Sequence, residues 1–231
     1  QLDKKRKESK DFLESALNQS TSYDKKGEYI ITNTCCGCGA CAIVCPTNAI
    51  EIKRDDKGFL KYFIDQEKCI RCGKCKTVCP FSSKGSVDID KDTHSLYMLK
   101  STDKKTLSTT ASGGAGFEIA KALSMEGYDV IGCVYDKDKG EAVHELVTSG
   151  DIDSLNAFKG SKYIQSNTKD VYNEIHEKTS KAVIFGTPCQ IAGLDLLLKS
   201  KKIRGNYVLV DLICHGVPSQ HLWNKYLKEG S

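Results

Sequence analysis

The sequence lacks the features that would place the chain in a membrane or on nucleic acid. None of its hydrophobic runs approaches the ~20 residues of a membrane-spanning helix, and its first residues, QLDKKRKESK, include no apolar segment of the signal-peptide kind. Lysine alternates with aspartate and glutamate along most of the chain, so no basic face interleaved with aromatic residues stands out. We therefore expect no membrane span and no nucleic-acid partner.

The chain is rich in cysteine but poor in proline, methionine and tryptophan. The 231 residues include four prolines, two methionines and one tryptophan, but twelve cysteines. Most of these lie in two runs, CCGCGACAIVCP (Cys35–Pro46) and CIRCGKCKTVCP (Cys69–Pro80). A disulfide framework does not explain a repeated spacing that ends in Cys-Pro, and a zinc site needs only the four thiolates that one run already supplies.

The spacing within each run is Cys-x2-Cys-x2-Cys-x3-Cys-Pro, which is typical of bacterial two-cluster ferredoxins. In this pattern the first three cysteines of a run bind one [4Fe–4S] cluster, and the fourth binds the other cluster. The first predicted ligand set is Cys35, Cys38, Cys41 and Cys79, and the second is Cys69, Cys72, Cys75 and Cys45. Because cluster thiolates need a reducing compartment, we expect a cytoplasmic protein.

Two further features belong to this module. Cys36 aligns with Ile70 of the second run, so we expect it to fill space beside a cluster rather than bind iron. The segment between the runs, AIEIKRDDKGFLKYFID, predicts two short strands around the turn Asp55–Gly58.

The pattern divides the chain into an N-terminal helix or tail (1–24), a two-[4Fe–4S] ferredoxin domain (25–85), a polar linker (86–94) and an α/β domain (95–231). In the last domain we predict strands at 95–100, 130–135, 142–147, 182–185 and 207–213, and helices at 117–125, 171–177, 191–199 and 219–227. We expect an α+β ferredoxin-like module followed by an α/β domain with a mixed, largely parallel sheet.

Two cysteines follow neighbouring predicted strands. Cys189 lies in the first turn of a helix that Thr187 and Pro188 open, and Cys214 follows the next strand. Both turns belong to the carboxyl edge of the sheet, where open α/β folds bind ligands. They are either small buried residues or metal-binding thiolates. Cys133 has no motif, and we expect it in the core.

From about Thr34 to Leu227 the chain resembles the beta subunits of coenzyme F420 hydrogenases and dehydrogenases. The resemblance rests on four motifs in order: ASGGAGFEIAKAL (111–123), GSKYIQSN (160–167), FGTPCQIAGL (185–194) and DLICHGVPS (211–219). The ferredoxin-fused form is similar to the bacterial branch of the family, which is often associated with polysaccharide biosynthesis.

The resemblance implies a flavoprotein in which FAD exchanges hydride with coenzyme F420 or another two-electron partner and passes single electrons to the clusters. The flavin-binding residues that it implies are Gly113, Gly114, Ser161, Lys162 and Tyr163. It also implies that Cys189 and Cys214 bind a third [4Fe–4S] cluster, completed by a later Cys-x2-Cys pair. No such pair occurs before Ser231, so we expect either that the family domain continues beyond this residue or that the third cluster is absent.

Two functions remain open at this point. One is an iron–sulfur flavoenzyme that works with a redox partner protein, a deazaflavin or another small electron donor or acceptor. The other is a non-catalytic electron-transfer ferredoxin whose α/β domain is a docking or binding scaffold. No catalytic residue is predicted.

Overall fold

The computed structural model describes residues 31–32, 34–82, 95–177 and 181–229. The predicted helix or tail at 1–24 and the linker at 86–94 lie outside these ranges. Within them, no helix combines the length and the apolar character needed to cross a membrane.

The ferredoxin-like module contains two four-residue helices and one hairpin. Its elements are α1 (Ala40–Ile43), β1 (Ile50–Arg54), β2 (Leu60–Ile64) and α2 (Lys74–Thr77). Each helix follows a glycine in the left-handed region, Gly39 at φ 81° and Gly73 at φ 75°, a conformation that a side chain would strain. Strands β1 and β2 pair antiparallel, as the sequence predicts. The Asp55 carboxylate closes the turn by accepting the N–H groups of Lys57 and Phe59.

The second domain is built on a five-stranded sheet. Its elements are α3 (Lys104–Thr109), α4 (Ala115–Met125), β3 (Asp129–Asp136), β4 (Glu141–Val147), β5 (Ser166–Asn167), α5 (Lys169–Glu177), β6 (Ala182–Gly186), α6 (Pro188–Ser200), β7 (Tyr207–Asp211) and α7 (Gln220–Glu229), with 3₁₀ turns at Ser154–Phe158 and Arg204–Asn206. The strand order is β5-β4-β3-β6-β7, and only the β3–β4 pair is antiparallel. The predicted fold class is therefore confirmed.

The prediction of a strand at Ser95–Lys100 is wrong. This segment has no regular secondary structure, and all six of its residues are exposed. Its apolar residues suggested a strand, but a strand needs a neighbour for its backbone hydrogen bonds, and this segment lies outside both sheets of the described chain. The last strand, β7, also ends at Asp211 instead of residue 213.

The module and the α/β domain share a hydrophobic core. Cys38, Ala40 and Val78 from the module are buried in one cluster with Tyr172 of α5 and Leu194 of α6. Burying apolar side chains from both parts together favours docking of the two in one orientation. The first cysteine run therefore lies against the α/β domain.

Candidate metal centres

The first cavity of the module is surrounded by cysteines from both runs. Its volume is about 340 Å³, and its cysteine lining is Cys35, Cys36, Cys38, Cys41 and Cys79. Ile31 and Ile52 contribute apolar wall, and Tyr62 from β2 closes one side. The Tyr62 hydroxyl is itself held by the backbone of Thr32, to which it donates at 2.8 Å.

The second cavity has nearly the same size and the complementary cysteines. Its volume is about 320 Å³, and its cysteine lining is Cys45, Cys69, Cys72 and Cys75. Ile50 and Ile64 of the hairpin form its apolar wall. The fourth cysteine of each run thus lines the cavity of the other run, which is the arrangement that the crossed ligand sets require.

Burial and the closeness of other cysteines both raise the pKa of thiols in the first cavity. Burial raises the pKa of Cys41 well above its ordinary value, and the neighbouring Cys35, Cys79 and Cys75 raise it further. Burial likewise raises the pKa of Cys79 to about 11, with Cys35 as one contributor. Several thiolates so close together need positive charge among them, and iron ions supply it when thiolates bind a cluster.

Backbone N–H groups point at two of the cysteine sulfurs. The N–H of Gly37 lies 3.4 Å from Sγ of Cys35, and the N–H of Ala49 lies 3.3 Å from Sγ of Cys45. At Cys45 burial acts to raise the pKa, but hydrogen bonds from Thr47 and Ala49 outweigh it and lower the pKa. Such bonds stabilise negative charge on a cluster sulfur and help to set its reduction potential.

The donor set fits an iron–sulfur cluster. The first cavity has five thiol groups and the second has four, both have apolar walls and N–H donors to sulfur, and neither has a carboxylate or imidazole in its lining. No three or more His, Cys, Asp or Glu side chains among the described residues are arranged so that they could hold a single metal ion. The cysteines instead line two cavities together with apolar side chains.

Cys36 lies where the module meets helix α6. The thiols of Cys189 and Cys38 are the neighbours that most affect its pKa. Cys189 acts to lower the pKa of Cys36, but Cys38 and burial raise it by more, so the pKa is raised overall. The pKa of Cys189 is raised too, by Cys36 and then by burial. The structure thus brings Cys189 next to a cysteine that the ferredoxin spacing leaves unused.

The other two cysteines of the α/β domain are placed differently. Cys214 is exposed in the segment after β7, where the N–H of Gly216 lies 3.4 Å from its sulfur. Cys133 is partly buried on β3, and burial raises its pKa. A third cluster at Cys189 and Cys214 stays a prediction.

The glycines of the implied flavin site lie at the start of helix α4. Gly114 caps this helix with φ 74°, so its left-handed conformation suits glycine. A Cβ at Gly113 would lie 3.0 Å from the carbonyl oxygen of Leu99, and one at Gly114 would lie 2.9 Å from Oγ1 of Thr110. The turn is therefore packed against residues of its own chain.

The other implied flavin residues lie on the same side of the domain. Lys159 connects the segment that carries residues 161–163 to the region of the two glycines, because its ammonium lies 3.1 Å from Oγ1 of Thr109 and 4.0 Å from the ring centroid of Phe117. Ser161 and Tyr163 are exposed. Lys162 donates to the carbonyl oxygens of Ala157 and Lys159, and burial lowers its pKa. Of these residues, Ser161 and Tyr163 are open to a ligand, whereas Gly113 and Lys162 contact other parts of the chain.

Sequence reasoning missed the polar residues that hold the first run in place. Gln165 accepts the N–H of Leu60 at 2.6 Å and donates to the carbonyl oxygen of Cys36 at 2.8 Å. Thr168 donates to the carbonyl oxygen of Cys38 at 2.8 Å. Both residues are far along the chain from their partners, so no spacing pattern could have indicated these contacts.

Comparisons with known proteins find matches in both parts of the chain. Models of the 4Fe-4S dicluster domain match residues 34–83 and 61–113. The model for the C terminus of the coenzyme F420 hydrogenase/dehydrogenase beta subunit matches residues 179–231. No curated protein sequence matches the chain.

One similar solved structure is the xenon-derivatised F420-reducing [NiFe] hydrogenase complex from Methanosarcina barkeri. The match has 16% identity and a TM-score of 0.48, and it covers 56% of this chain. This chain spans about half the length of the matched one, at 47%. The family models support the predicted two-cluster module and the resemblance seen in the sequence motifs: residues 34–83 match the 4Fe-4S dicluster domain, and residues 179–231 match the C terminus of the coenzyme F420 hydrogenase/dehydrogenase beta subunit.

Proposed function

We propose that this chain is an iron–sulfur oxidoreductase component that passes single electrons through two [4Fe–4S] clusters. One observation carries the proposal: each of two cavities is lined by the three predicted ligands of one run and the fourth cysteine of the other run, with Cys36 as a further cysteine at the first. Iron–sulfur clusters supply one-electron transfer.

The residues of the module have distinct roles in this function. The two sets of four thiolates hold the iron, as the crossed spacing predicts. Ile52 and Tyr62 shield the first cavity from water, and the N–H groups of Gly37 and Ala49 stabilise negative charge on sulfur. The Lys61 ammonium, which donates to the carbonyl oxygen of Cys35, adds positive charge beside the first cavity.

We further propose that the α/β domain binds FAD, which exchanges hydride with coenzyme F420 or another two-electron partner. A flavin connects two-electron with one-electron chemistry, so it complements the clusters. The exposed Ser161 and Tyr163, together with Gly114 at the start of α4, are the residues that would hold it. Gly113, next to Gly114, would take part through its backbone, and Lys162 would take part only on releasing its hydrogen bonds to the carbonyl oxygens of Ala157 and Lys159.

The second candidate function is a non-catalytic electron carrier whose α/β domain docks a partner. The same contacts favour it, because a glycine turn packed on Leu99 and a lysine bound to two carbonyl oxygens are complete without a ligand. In both cases we propose a cytoplasmic protein with a redox partner protein, since the thiolates need a reducing compartment.

Cofactor analysis tests both candidates. The 231-residue chain, purified without air, should contain about eight iron and eight sulfide ions per chain, as two [4Fe–4S] clusters require. A matched Cys133→Ser variant should keep this content, because Cys133 lies on β3, away from both cavities. A colourless protein that contains zinc would overturn the cluster proposal.

Flavin fluorescence after release of the cofactor separates the two candidates. Flavin in a preparation with full iron content supports the flavoenzyme, and loss of that flavin in a Tyr163→Ala variant would support the proposed site. Full iron content without flavin would leave the electron carrier as the function.

A further inference from the structure

The surface around the second cavity combines an exposed apolar side chain with positive charge. Ile70, Arg71, Cys72 and Lys74 line this cavity, and all four are exposed. We call these four residues the second-run surface. A Cβ at Gly73, which lies among them, would meet nothing within 4 Å. The second predicted ligand set is therefore open to another molecule on this side.

The charged side chains of the second-run surface have one sign. Segment 68–78, KCIRCGKCKTV, includes four cations and no carboxylate. None of the described residues that line the second cavity is acidic. Lys201 of the α/β domain adds a further positive charge nearby: burial lowers its pKa, and the Lys74 ammonium lowers it further. The surface thus has an excess of positive charge.

The carboxylates on the neighbouring hairpin and turn do not cancel this excess. Asp65 pairs with Lys68 at 2.9 Å, and Glu51 pairs with Lys53 at 3.3 Å. Glu67, the residue before Lys68, is exposed. Three carboxylates thus lie with two lysines of their own, which leaves one negative charge against the cations of the second-run surface.

We propose that the second-run surface docks an acidic one-electron carrier protein, which presents carboxylates around its own cofactor. The inference rests on the proposed function, because it names the chemistry of the redox partner in that function. Docking itself forms and breaks no covalent bond. It depends on side chains of this chain that no predicted ligand set uses, namely Ile70, Arg71 and Lys74.

Each residue of the second-run surface has its own role in docking. Arg71 and Lys74 attract carboxylates, which steers an acidic partner toward this face and selects it over a basic one. Ile70 is 64% exposed, so a docked protein removes apolar area from water there. Cys72 brings a predicted cluster ligand to the same face. Lipid and nucleic acid are also attracted by positive charge, but only a redox protein makes use of the exposed ligand.

Titration with an acidic flavodoxin tests the proposal. The 231-residue chain with its iron intact is titrated without air, and calorimetry gives the Kd. Replacing Arg71 and Lys74 together by glutamine should raise the Kd about tenfold at an ionic strength of about 0.01 M, where the Debye length is about 30 Å. The two Kd values should converge as the ionic strength rises to about 1 M, where this length is about 3 Å.

Two further variants make this test specific. Lys57→Gln combined with Lys137→Gln is the matched control, because both lysines are exposed at turns outside the lining of the second cavity. It should leave the Kd unchanged. Lys201→Gln lies outside the cysteine run and should raise the Kd about threefold at low ionic strength. It decides the outcome if the Arg71 and Lys74 double variant loses iron.

The proposal is overturned if flavodoxin does not bind the unchanged chain, or if the charge variants bind it as tightly as the control does. Tighter binding of a basic probe, cytochrome c, would also overturn it. If vesicles that contain phosphatidylserine, or duplex DNA, bind in place of flavodoxin, the surface serves lipid or nucleic acid and the proposal fails. A chain without iron contradicts the proposed function, whereas full iron content without flavodoxin binding contradicts only the docking.

Discussion

The two cysteine runs share a local structure but lie in different surroundings. In both, a glycine in the left-handed region opens a four-residue helix. Around the first run, a Cβ at Gly39 would meet Oγ1 of Thr168 at 3.2 Å, whereas one at Gly73 of the second run would meet nothing within 4 Å. Cys38 is buried against the α/β domain, and Cys72, its counterpart, is exposed.

This difference predicts which part of the protein or its partner exchanges electrons with each cluster. A cluster in the first cavity would lie beside the α/β domain, and a cluster in the second would lie near the surface. Ile70, which lines the second cavity, is 64% exposed, so a partner protein could approach there. We therefore expect the second run to exchange electrons with the partner and the first run to exchange them with the α/β domain.

The largest expected effect comes from substituting the cysteine that one run contributes to the cluster of the other run. Cys79→Ser should remove the cluster beside the α/β domain and with it about half of the iron, because Cys79 lines the first cavity. Iron analysis and electron paramagnetic resonance of the reduced protein measure this. Cys45→Ser is the matched control and should remove the other cluster. If Cys79→Ser removed the cluster of the second run and left the cluster of the first run intact, the crossed pairing would be wrong.

Replacing one glycine of each run by alanine tests how tightly the surrounding residues confine that run. Gly37→Ala and Gly73→Ala both place alanine at positive φ, which costs about 1–2 kcal/mol. In Gly37→Ala the Cβ would also lie 2.5 Å from the carbonyl oxygen of Leu60, and such overpacking costs about 1–3 kcal/mol more. We expect a lower midpoint of thermal unfolding, measured without air, for Gly37→Ala than for Gly73→Ala. Equal midpoints would show that the first run is not confined by its surroundings.

Acid should lower the stability of the α/β domain. Burial lowers the pKa of His144 on β4 from 6.5 to about 4. As the pH falls from about 6.5 to 4, the unfolded chain takes up a proton that the folded chain does not. The free energy of unfolding should therefore fall by about 3 kcal/mol through this residue.

Fluorescence of the single tryptophan measures this acid effect. Trp223 donates to the Tyr135 hydroxyl on β3 at 3.0 Å, so its emission reports on the α/β sheet. Denaturant titrations at several pH values should show a flatter pH dependence for His144→Gln than for the unchanged chain. The same slope in both would exclude His144 as the source.

The smallest effect is expected from loosening the contact between the two parts. Gln165→Ala leaves the buried N–H of Leu60 without its acceptor, which costs about 1–3 kcal/mol. Gln66→Ala, at an exposed turn after β2, is the control and should change the free energy of unfolding by less than about 0.5 kcal/mol. Denaturant titration compares the two. An unchanged stability of Gln165→Ala would show that this bond does not hold the first run.

Local signals predicted much of the secondary structure. The hairpin β1–β2 and helix α6 are where turn residues and the Thr187-Pro188 start indicate them. The four-residue helices α1 and α2 and the two-residue strand β5 were not predicted, because they are too short for a hydrophobic period to appear. The strand prediction at Ser95–Lys100 failed because strand formation depends on a distant partner, which the apolar residues of the segment do not reveal.

The sequence by itself indicated which cysteines form the repeated runs and that the fourth cysteine of each run serves the other cluster, because ligand spacing acts over a few residues. Only the tertiary structure decided that Gln165 and Thr168 of the α/β domain hold the backbone of the first run. These contacts join residues far apart in the chain. They depend on the packing of α5 and α6 against the first run, which buries apolar surface that neither part could bury alone.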